Sequence, residues 1–270
     1  MPILKVDATF EMQYDLYDFT DPWRSDVGNV LLVHGNTRNS RFWYWYVPRI
    51  ASHYRVATMD WRGHGRSPLP PGYQHDMPTL ANDVRVLLDH LGWDTVHYVA
   101  EATGGVIGCQ FAADFPERVR SLTLIGSATA KGGEITKGDL DRWLKLIDEG
   151  GMIAWTRDHA AQTLDRSKVD PGMYDWYVAE MAKEPAEWDM AVKRWYPNFD
   201  IRPVLPRIKA PTQIQIGERT MFGLENYKEM ARLIPNAELM IFYGAPHYTF
   251  MSHREETLEG ILNFLRRVSS

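Results

Sequence analysis

The clearest chemical signal in the sequence is a junction where an apolar run ends in a turn of small residues. The run Thr95 to Ala100 leads into Glu101 to Gly105, after which a helical pattern begins. Small residues must flank such a strand-to-helix turn, because the helix starts almost on top of the strand. Ala100 and Gly104 occupy the flanking places, so the side chain between them is expected to stand above the sheet. That residue is Ala102, which has no oxygen or sulfur to attack a carbonyl carbon.

The elements around this junction follow the pattern of a parallel α/β sheet. Short apolar runs rich in β-branched residues alternate with amphipathic stretches, as in a sheet covered by helices on both faces. The predicted strands are Asn29 to His34, Arg55 to Asp60, Thr95 to Ala100, Ser121 to Ile125, Thr212 to Gly217 and Ala237 to Tyr243. The predicted helices include Thr79 to Leu91, Gly104 to Phe115, Tyr227 to Ile234 and Arg254 to Val268. Their order predicts an α/β fold with a doubly wound, mostly parallel sheet.

One long interval breaks the alternation of strands and helices. Residues 131–203 separate two predicted strands and have a helical pattern throughout. We therefore expect a core of residues 1–130 and 204–270 with a helical cap inserted at 131–203. The insertion is rich in large aromatic residues, most of which should pack the cap onto the core while others line a pocket for an apolar or aromatic substrate. The candidates for that pocket are Trp143, Trp155, Trp176 and Trp188.

Composition argues against several classes of partner. The net charge of −5, with acids and bases evenly mixed, gives no basic face for nucleic acid or anionic lipid. Cys109 is the only cysteine, and no metal-binding motif is present, so neither a disulfide framework nor a metal site is predicted. Gly104, Gly105 and Gly108 do not match a dinucleotide fingerprint, and no cofactor is expected. Residues 1–18 lack the basic leader and apolar core of a signal peptide, which predicts a cytoplasmic protein without membrane contact.

Taken together, five segments resemble the α/β-hydrolase superfamily, in the branch of small capped enzymes that act on esters, lactones and vinylogous diketones. The segments are Val96 to Val106 at the small-residue turn, His34-Gly35-Asn36, Asp60 to Ser67, Phe115 to Val119, and Gly244 to His247. They occur in the family's order over about residues 29 to 265. The resemblance therefore predicts an α/β-hydrolase fold, and it is less specific for activity.

The resemblance also implies a role for individual residues. Position 102 is the place of the nucleophile, and His247 is the base that takes its proton. The backbone N–H groups of Asn36 and Thr103 are expected to form the oxyanion hole, which stabilises negative charge on a carbonyl oxygen. Gly35, beside this segment, is expected at the substrate pocket.

Ala102 is the first departure from the family pattern. With alanine at the nucleophile position the chain cannot form an acyl-enzyme. Two explanations compete, an engineered serine-to-alanine change and a natural pseudo-enzyme. We favour the engineered change, because the oxyanion segment, His247 and the small elbow residues are intact, whereas relaxed constraint is expected to erode them.

The second departure concerns the acid that should orient His247. The family usually provides it about three residues past the glycine that closes the strand ending at Gly217, and Thr220 stands there. Glu218 is the nearest carboxylate and becomes the candidate acid if the loop is rearranged. It fits equally well as a loop residue bonded to the backbone or to an arginine, so both interpretations stay open. Glu101 points away from the site in the usual elbow geometry.

The remaining polar candidates have structural interpretations. The resemblance places His64 on a turn, and Ser67 opens a proline-containing loop without the small-residue frame of a nucleophile. We expect neither residue to be catalytic.

The sequence thus predicts a serine-type hydrolase of carboxylic esters or lactones that is disabled at Ala102. One alternative is hydrolysis of a C–C bond in a ring-fission product, with Arg38 and Arg41 as candidate ligands of an acidic substrate. The other is a non-catalytic ligand receptor. The expected partner is a small-molecule ester or lactone, and a homodimer is among the oligomeric states that the sequence leaves open.

Overall fold

Eight strands form a single sheet in this computed structural model, which describes residues 2–129, 137–196 and 199–269. The strands are β1 (Ile3–Lys5), β2 (Glu11–Tyr17), β3 (Asn29–Val33), β4 (Arg55–Asp60), β5 (Val96–Glu101), β6 (Val119–Ile125), β7 (Thr212–Arg219) and β8 (Ala237–Pro246). Their order across the sheet is β1-β2-β4-β3-β5-β6-β7-β8. β2 pairs antiparallel with β1 and β4, and all other pairs are parallel. The order reverses between β3 and β5, where ligands bind in open α/β sheets, beyond the carboxyl ends of the strands.

Helices cover both faces of the sheet. The helices are α1 (Val47–Ile50), α2 (Met77–Leu91), α3 (Thr103–Asp114), α4 (Lys137–Thr163), α5 (Pro171–Met181), α6 (Ala186–Trp195), α7 (Leu224–Leu233), α8 (Thr249–Ser252) and α9 (Arg254–Ser269). α2 begins where the Asp76 carboxylate accepts a hydrogen bond from the Thr79 N–H, and it ends at Gly92 in the left-handed conformation. α4 to α6 lie in sequence between β6 and β7, and we call residues 137–196 the helical insertion.

The strand interior explains why both faces are covered. Along β3, Leu31 and Val33 belong to one buried cluster, whereas Val30 and Leu32 belong to a second. Successive side chains of a strand point to opposite faces, so the two clusters are the cores on the two sides of the sheet. The second cluster includes side chains from α4 and α5, so the insertion packs on the core rather than standing free.

The six predicted strands are present as β3 to β8, with ends displaced by a few residues. The strands β1 and β2 were not predicted, because β1 has only three residues and β2 mixes polar with apolar residues, so neither has the continuous apolar run on which the prediction relied. The expected start of the insertion at residue 131 lies outside the described residues. No helix within the described ranges is both long enough and apolar enough to cross a membrane.

Cys109 lies in α3 and is completely buried as a free thiol. Loss of solvation raises the pKa of this thiol well above its ordinary value. Since the thiolate is the reactive form, the side chain behaves as a small core residue without redox chemistry.

Buried histidines make the stability of the fold sensitive to acid. Desolvation lowers the pKa of His34, His75 and His97 to about 4, whereas an unfolded histidine titrates near 6.5. The unfolded chain therefore binds more protons between pH 6.5 and 4, and stability should fall as the pH drops through this window. Glu184, whose pKa burial raises to about 8, offsets part of the loss because it binds its proton more tightly in the folded state.

We expect the variant His97→Asn to lose less stability than the parent between pH 6.5 and 4. The difference should be about 2–3 kcal/mol, since one pKa unit corresponds to about 1.4 kcal/mol. Urea unfolding of both proteins at several pH values measures it. Parallel pH profiles for the two proteins would show that His97 does not contribute.

Candidate active site

Ala102 occupies a strained position between β5 and α3. Its φ of 46° and ψ of −124° lie in a region that residues with a side chain rarely adopt. The Ala102 N–H donates to the Ile125 carbonyl at 2.9 Å, which ties the turn to the neighbouring strand. A methyl group at Gly104 would lie 2.5 Å from the His34 carbonyl oxygen, and one at Gly105 would lie 2.0 Å from Ser127 Oγ. The predicted small-residue frame is therefore a steric requirement of the turn.

His247 follows β8 and faces the same region with a buried imidazole. Its Nδ1 lies 2.8 Å from Thr220 Oγ1, and the residue is only 1% exposed. Nε2 finds no hydrogen-bond partner in the part of the chain that the structure describes. Desolvation, with a smaller contribution from the Arg38 charge, lowers the pKa of His247 to about 3. The ring is therefore neutral at ordinary pH.

The expected role of Glu218 is corrected by the loop after β7. The Glu218 carboxylate accepts a hydrogen bond from the Gly244 N–H at 2.8 Å on the exposed edge of the sheet, so it does not orient His247. β7 continues through Arg219, which pairs with Pro246. Because the strand extends this far, Thr220 contacts the imidazole of His247 and Glu218 does not. A hydroxyl thus stands where the family places a carboxylate.

The two expected oxyanion donors lie at the same place as Ala102. Asn36 and Thr103 both line the cavity that contains Ala102 and His247. Thr103 is the first residue of α3, and the N–H of a first helical residue has no acceptor within the helix. The described hydrogen bonds of Asn36 use its side chain and its carbonyl oxygen, which leaves its N–H available to a ligand.

The cavity above Ala102 is small, with a volume of about 80 Å³. Trp143 and Trp155 of the helical insertion line it. Two predicted pocket residues do not. Trp176 packs on Phe42 and Tyr44 in a separate outer groove, and Trp188 is half-buried outside the cavity, because α5 and α6 turn these faces away from Ala102.

Gly35 lies beneath the cavity rather than in its lining. A methyl group there would lie 2.7 Å from Ala102 Cβ, and the Gly35 N–H donates to the Glu101 carboxylate. Gly35 therefore permits the close approach of the loop after β3 to Ala102, and the expectation that Gly35 lies in the pocket lining is corrected.

A buried ion pair joins the insertion to the loop that follows β3. Lys193 and Asp189, one turn apart on α6, are paired and buried. The Asp189 carboxylate also accepts hydrogen bonds from the Asn36 side-chain amide and the Thr37 hydroxyl. Lys193 Nζ lies 3.6 Å from the centroid of the Trp155 ring and lines the cavity. The sequence interpretation missed both charged residues, although an acid four residues before a lysine on a helix is a detectable signal.

A second buried ion pair lies behind Ala102. Arg38 donates to both oxygens of Glu101 at 3.2 Å, and both side chains are 1% exposed. Arg38 also donates to the Tyr177 hydroxyl at 2.7 Å and lies 4.1 Å from the centroid of the Tyr248 ring. Its terminal nitrogens are held by partners in the core. Arg38 is thus neither solvated nor a pocket arginine.

Arg41 is the other arginine considered for an acidic substrate. It pairs with Glu180 at 2.8 Å in the outer groove and does not line the cavity. Among the described residues that line the cavity there is thus no arginine of the kind expected for a C–C bond hydrolase.

The turn after β4 has the structural role that was predicted. His64 Nε2 lies 2.9 Å from Asn36 Oδ1, and Ser67 Oγ accepts a hydrogen bond from the Gln13 N–H at 2.8 Å. Within the described ranges, no group of three histidine, cysteine or acidic side chains could hold a metal ion.

A mostly parallel sheet with a strained turn after β5, a histidine after β8 and an inserted set of helices defines a protein of the α/β-hydrolase class. The chain belongs to the alpha/beta hydrolase fold family, whose model matches residues 28–254.

Relatives of this chain carry out several hydrolytic reactions. A pimeloyl-(acyl-carrier protein) methyl ester esterase of Aeromonas hydrophila is 34% identical over 253 residues, which are 88% of this chain and 95% of that protein. A 2-hydroxy-6-oxononadienedioate/2-hydroxy-6-oxononatrienedioate hydrolase of Klebsiella pneumoniae is 25% identical and covers 88% of this chain and 87% of that protein. The crystal structure of an enol-lactonase from Burkholderia xenovorans LB400 matches with a TM-score of 0.85 at 21% identity, over 98% of this chain and 100% of that one.

Proposed function

We propose that this chain is a hydrolase of carboxylic esters or lactones whose site binds an apolar or aromatic substrate and is disabled at position 102. One observation carries the proposal: the neutral imidazole of His247 and the N–H-bearing residues Asn36 and Thr103 line one cavity with Ala102. We assign Ala102 to the place of a serine.

With serine at position 102, His247 would take the hydroxyl proton and the serine oxygen would attack the carbonyl. The N–H groups of Asn36 and Thr103 would hold the oxyanion, and water would release the acyl group. Without the hydroxyl the acyl-enzyme cannot form, but the surfaces that bind substrate remain.

We assign residues 131–203 as a cap over a core of residues 1–130 and 204–270. The cap supplies Trp143, Trp155 and Lys193 to the cavity. A volume of about 80 Å³ is below the roughly 300–1,000 Å³ typical of ligand pockets. Binding an aromatic ester therefore requires the cap side chains to move apart.

A second candidate is a ligand-binding protein without hydrolytic activity. The hydrogen bond between Thr220 and His247 favours it, because a single serine-to-alanine change does not account for the missing acid. Such a protein would bind its ligand in the same cavity and respond through movement of the cap.

The binding step is tested with the chain as it stands. We expect isothermal titration calorimetry to detect binding of dihydrocoumarin, an aromatic lactone. The variant Trp155→Leu should weaken binding about tenfold, because it removes part of an aromatic contact surface. The matched variant Trp176→Leu, in the outer groove, should bind like the parent. The cavity proposal is wrong if the parent does not bind the lactone or if the two variants weaken binding equally.

A further inference from the structure

His247 presents to the cavity a polar atom that no described protein group satisfies. Nε2 is buried and has no partner among the described residues, and the Phe222 and Tyr248 rings flank the imidazole at centroid distances of 5.3 and 4.5 Å. In a serine hydrolase the serine hydroxyl donates to this nitrogen. Ala102 cannot, so a ligand that donates a hydrogen bond to Nε2 is favoured over one that does not, because a buried polar atom without a partner is unfavourable.

The contacts of Thr220 determine whether Nε2 accepts or donates. A threonine hydroxyl has one proton to donate. Thr220 Oγ1 lies 3.4 Å from the Tyr227 hydroxyl and 2.8 Å from His247 Nδ1. When Thr220 donates to Tyr227, Nδ1 carries the ring proton and donates to Thr220. We assign this arrangement, which makes Nε2 a hydrogen-bond acceptor.

Two backbone hydrogen-bond donors lie beside Ala102 in the same cavity, which His159 also lines. The N–H groups of Asn36 and Thr103 suit an oxygen that bears lone pairs and no proton. Lys193 contributes no net charge, because Asp189 neutralises it. The neutral His247 offers no attraction to a carboxylate. Around Ala102 an uncharged ligand therefore meets the Nε2 acceptor of His247 and the backbone donors of Asn36 and Thr103.

We propose that the native ligand of this chain carries a hydroxyl group next to a carbonyl group. The hydroxyl donates to His247 Nε2, at the place that a serine hydroxyl would occupy, and the carbonyl accepts from the N–H groups of Asn36 and Thr103. The inference rests on the proposed function only in placing the ligand in the cavity above Ala102. A simple ester or ketone lacks the donor and leaves Nε2 unsatisfied.

Three related ketones test the proposal by calorimetry on the intact protein. They are α-hydroxyacetophenone, its larger methyl ether and the smaller acetophenone, of which only the first has a donor beside the carbonyl. We expect the hydroxy ketone to bind about ten- to a hundredfold more tightly than either control, since leaving a buried acceptor unpaired costs about 1–3 kcal/mol. Controls of both sizes separate the hydrogen bond from the fit of the ligand.

The variant Ala102→Ser supplies the missing donor from the protein. We expect the preference for the hydroxy ketone to shrink to within about threefold in this variant, because the serine hydroxyl satisfies Nε2. The inference is overturned if the parent binds the three ketones with equal affinity. In that case the proposed function still stands if the parent binds dihydrocoumarin in the same experiment. A preference that persists in Ala102→Ser also overturns the inference. Failure of every ligand to bind overturns both.

Discussion

The double variant Ala102→Ser/Thr220→Asp is expected to hydrolyse p-nitrophenyl acetate about a millionfold faster than the chain as it stands. Loss of the serine or the histidine of a serine-hydrolase triad lowers kcat by about that factor. The serine restores the nucleophile, and the aspartate replaces the hydroxyl that lies 2.8 Å from His247 Nδ1. A carboxylate at this place stabilises the imidazolium that forms when His247 takes the serine proton. Initial rates of p-nitrophenol release measure the effect.

The single variants separate the two departures from the family pattern. Ala102→Ser alone should be active but about 10³–10⁴-fold slower than the double variant, because Thr220 cannot stabilise the imidazolium. Thr220→Asp alone should stay inert for lack of a nucleophile. Ala102→Ser/Thr220→Asn is the matched neutral control and should resemble Ala102→Ser. Equal rates for the asparagine and aspartate forms would show that charge at position 220 does not matter. Inactivity of every form would favour the ligand-binding candidate.

Removing the Glu101 carboxylate is expected to destabilise the protein by about 3–5 kcal/mol. The variant Glu101→Ala leaves the Arg38 guanidinium buried without its counter-charge, and an unpaired buried charge is far costlier than a lost surface pair. Urea unfolding followed by circular dichroism measures the change. Glu101→Ala/Arg38→Met, which removes both charges, should recover a large part of the loss.

A matched surface variant provides the control for that measurement. Lys145 and Glu149 form a pair whose side chains are 72% and 65% exposed, and Glu149→Ala should change stability by less than about 0.5 kcal/mol. If Glu101→Ala lowered the free energy of unfolding no more than Glu149→Ala does, the Arg38 charge in the variant would have to be solvated by water or paired with another group.

The turn around Ala102 could be predicted from the sequence because its requirements are local. Glycine is required at positions 104 and 105 because backbone and side-chain atoms lie within 3 Å of the place that a methyl group would occupy. The resemblance to the α/β-hydrolase family implied that Thr220, three residues beyond Gly217, stands at the place of the acid that orients His247. The choice between Glu218 and Thr220 depended on how far β7 extends, which is a property of its pairing with β8.

The lining of the cavity could be predicted only in part. Helical spacing shows that the tryptophans of the insertion lie on helices, but the docking of those helices decides which of them face Ala102. Trp155 and Trp176 have the same residue type and comparable settings in the sequence, yet only Trp155 lines the cavity. The Lys193–Asp189 pair was missed for a related reason, because charges one turn apart usually lie on a solvated helix face.

The burial of Cys109 has a practical consequence for spectroscopy. Because the only thiol of the chain is enclosed in α3 and unreactive, maleimide dyes and nitroxide labels have no native attachment site. Cysteines introduced at Glu187 on α6 and Ser52 on the core, both exposed, would therefore carry the only two probes. The interprobe distance would report directly on opening and closing of the insertion during ligand entry.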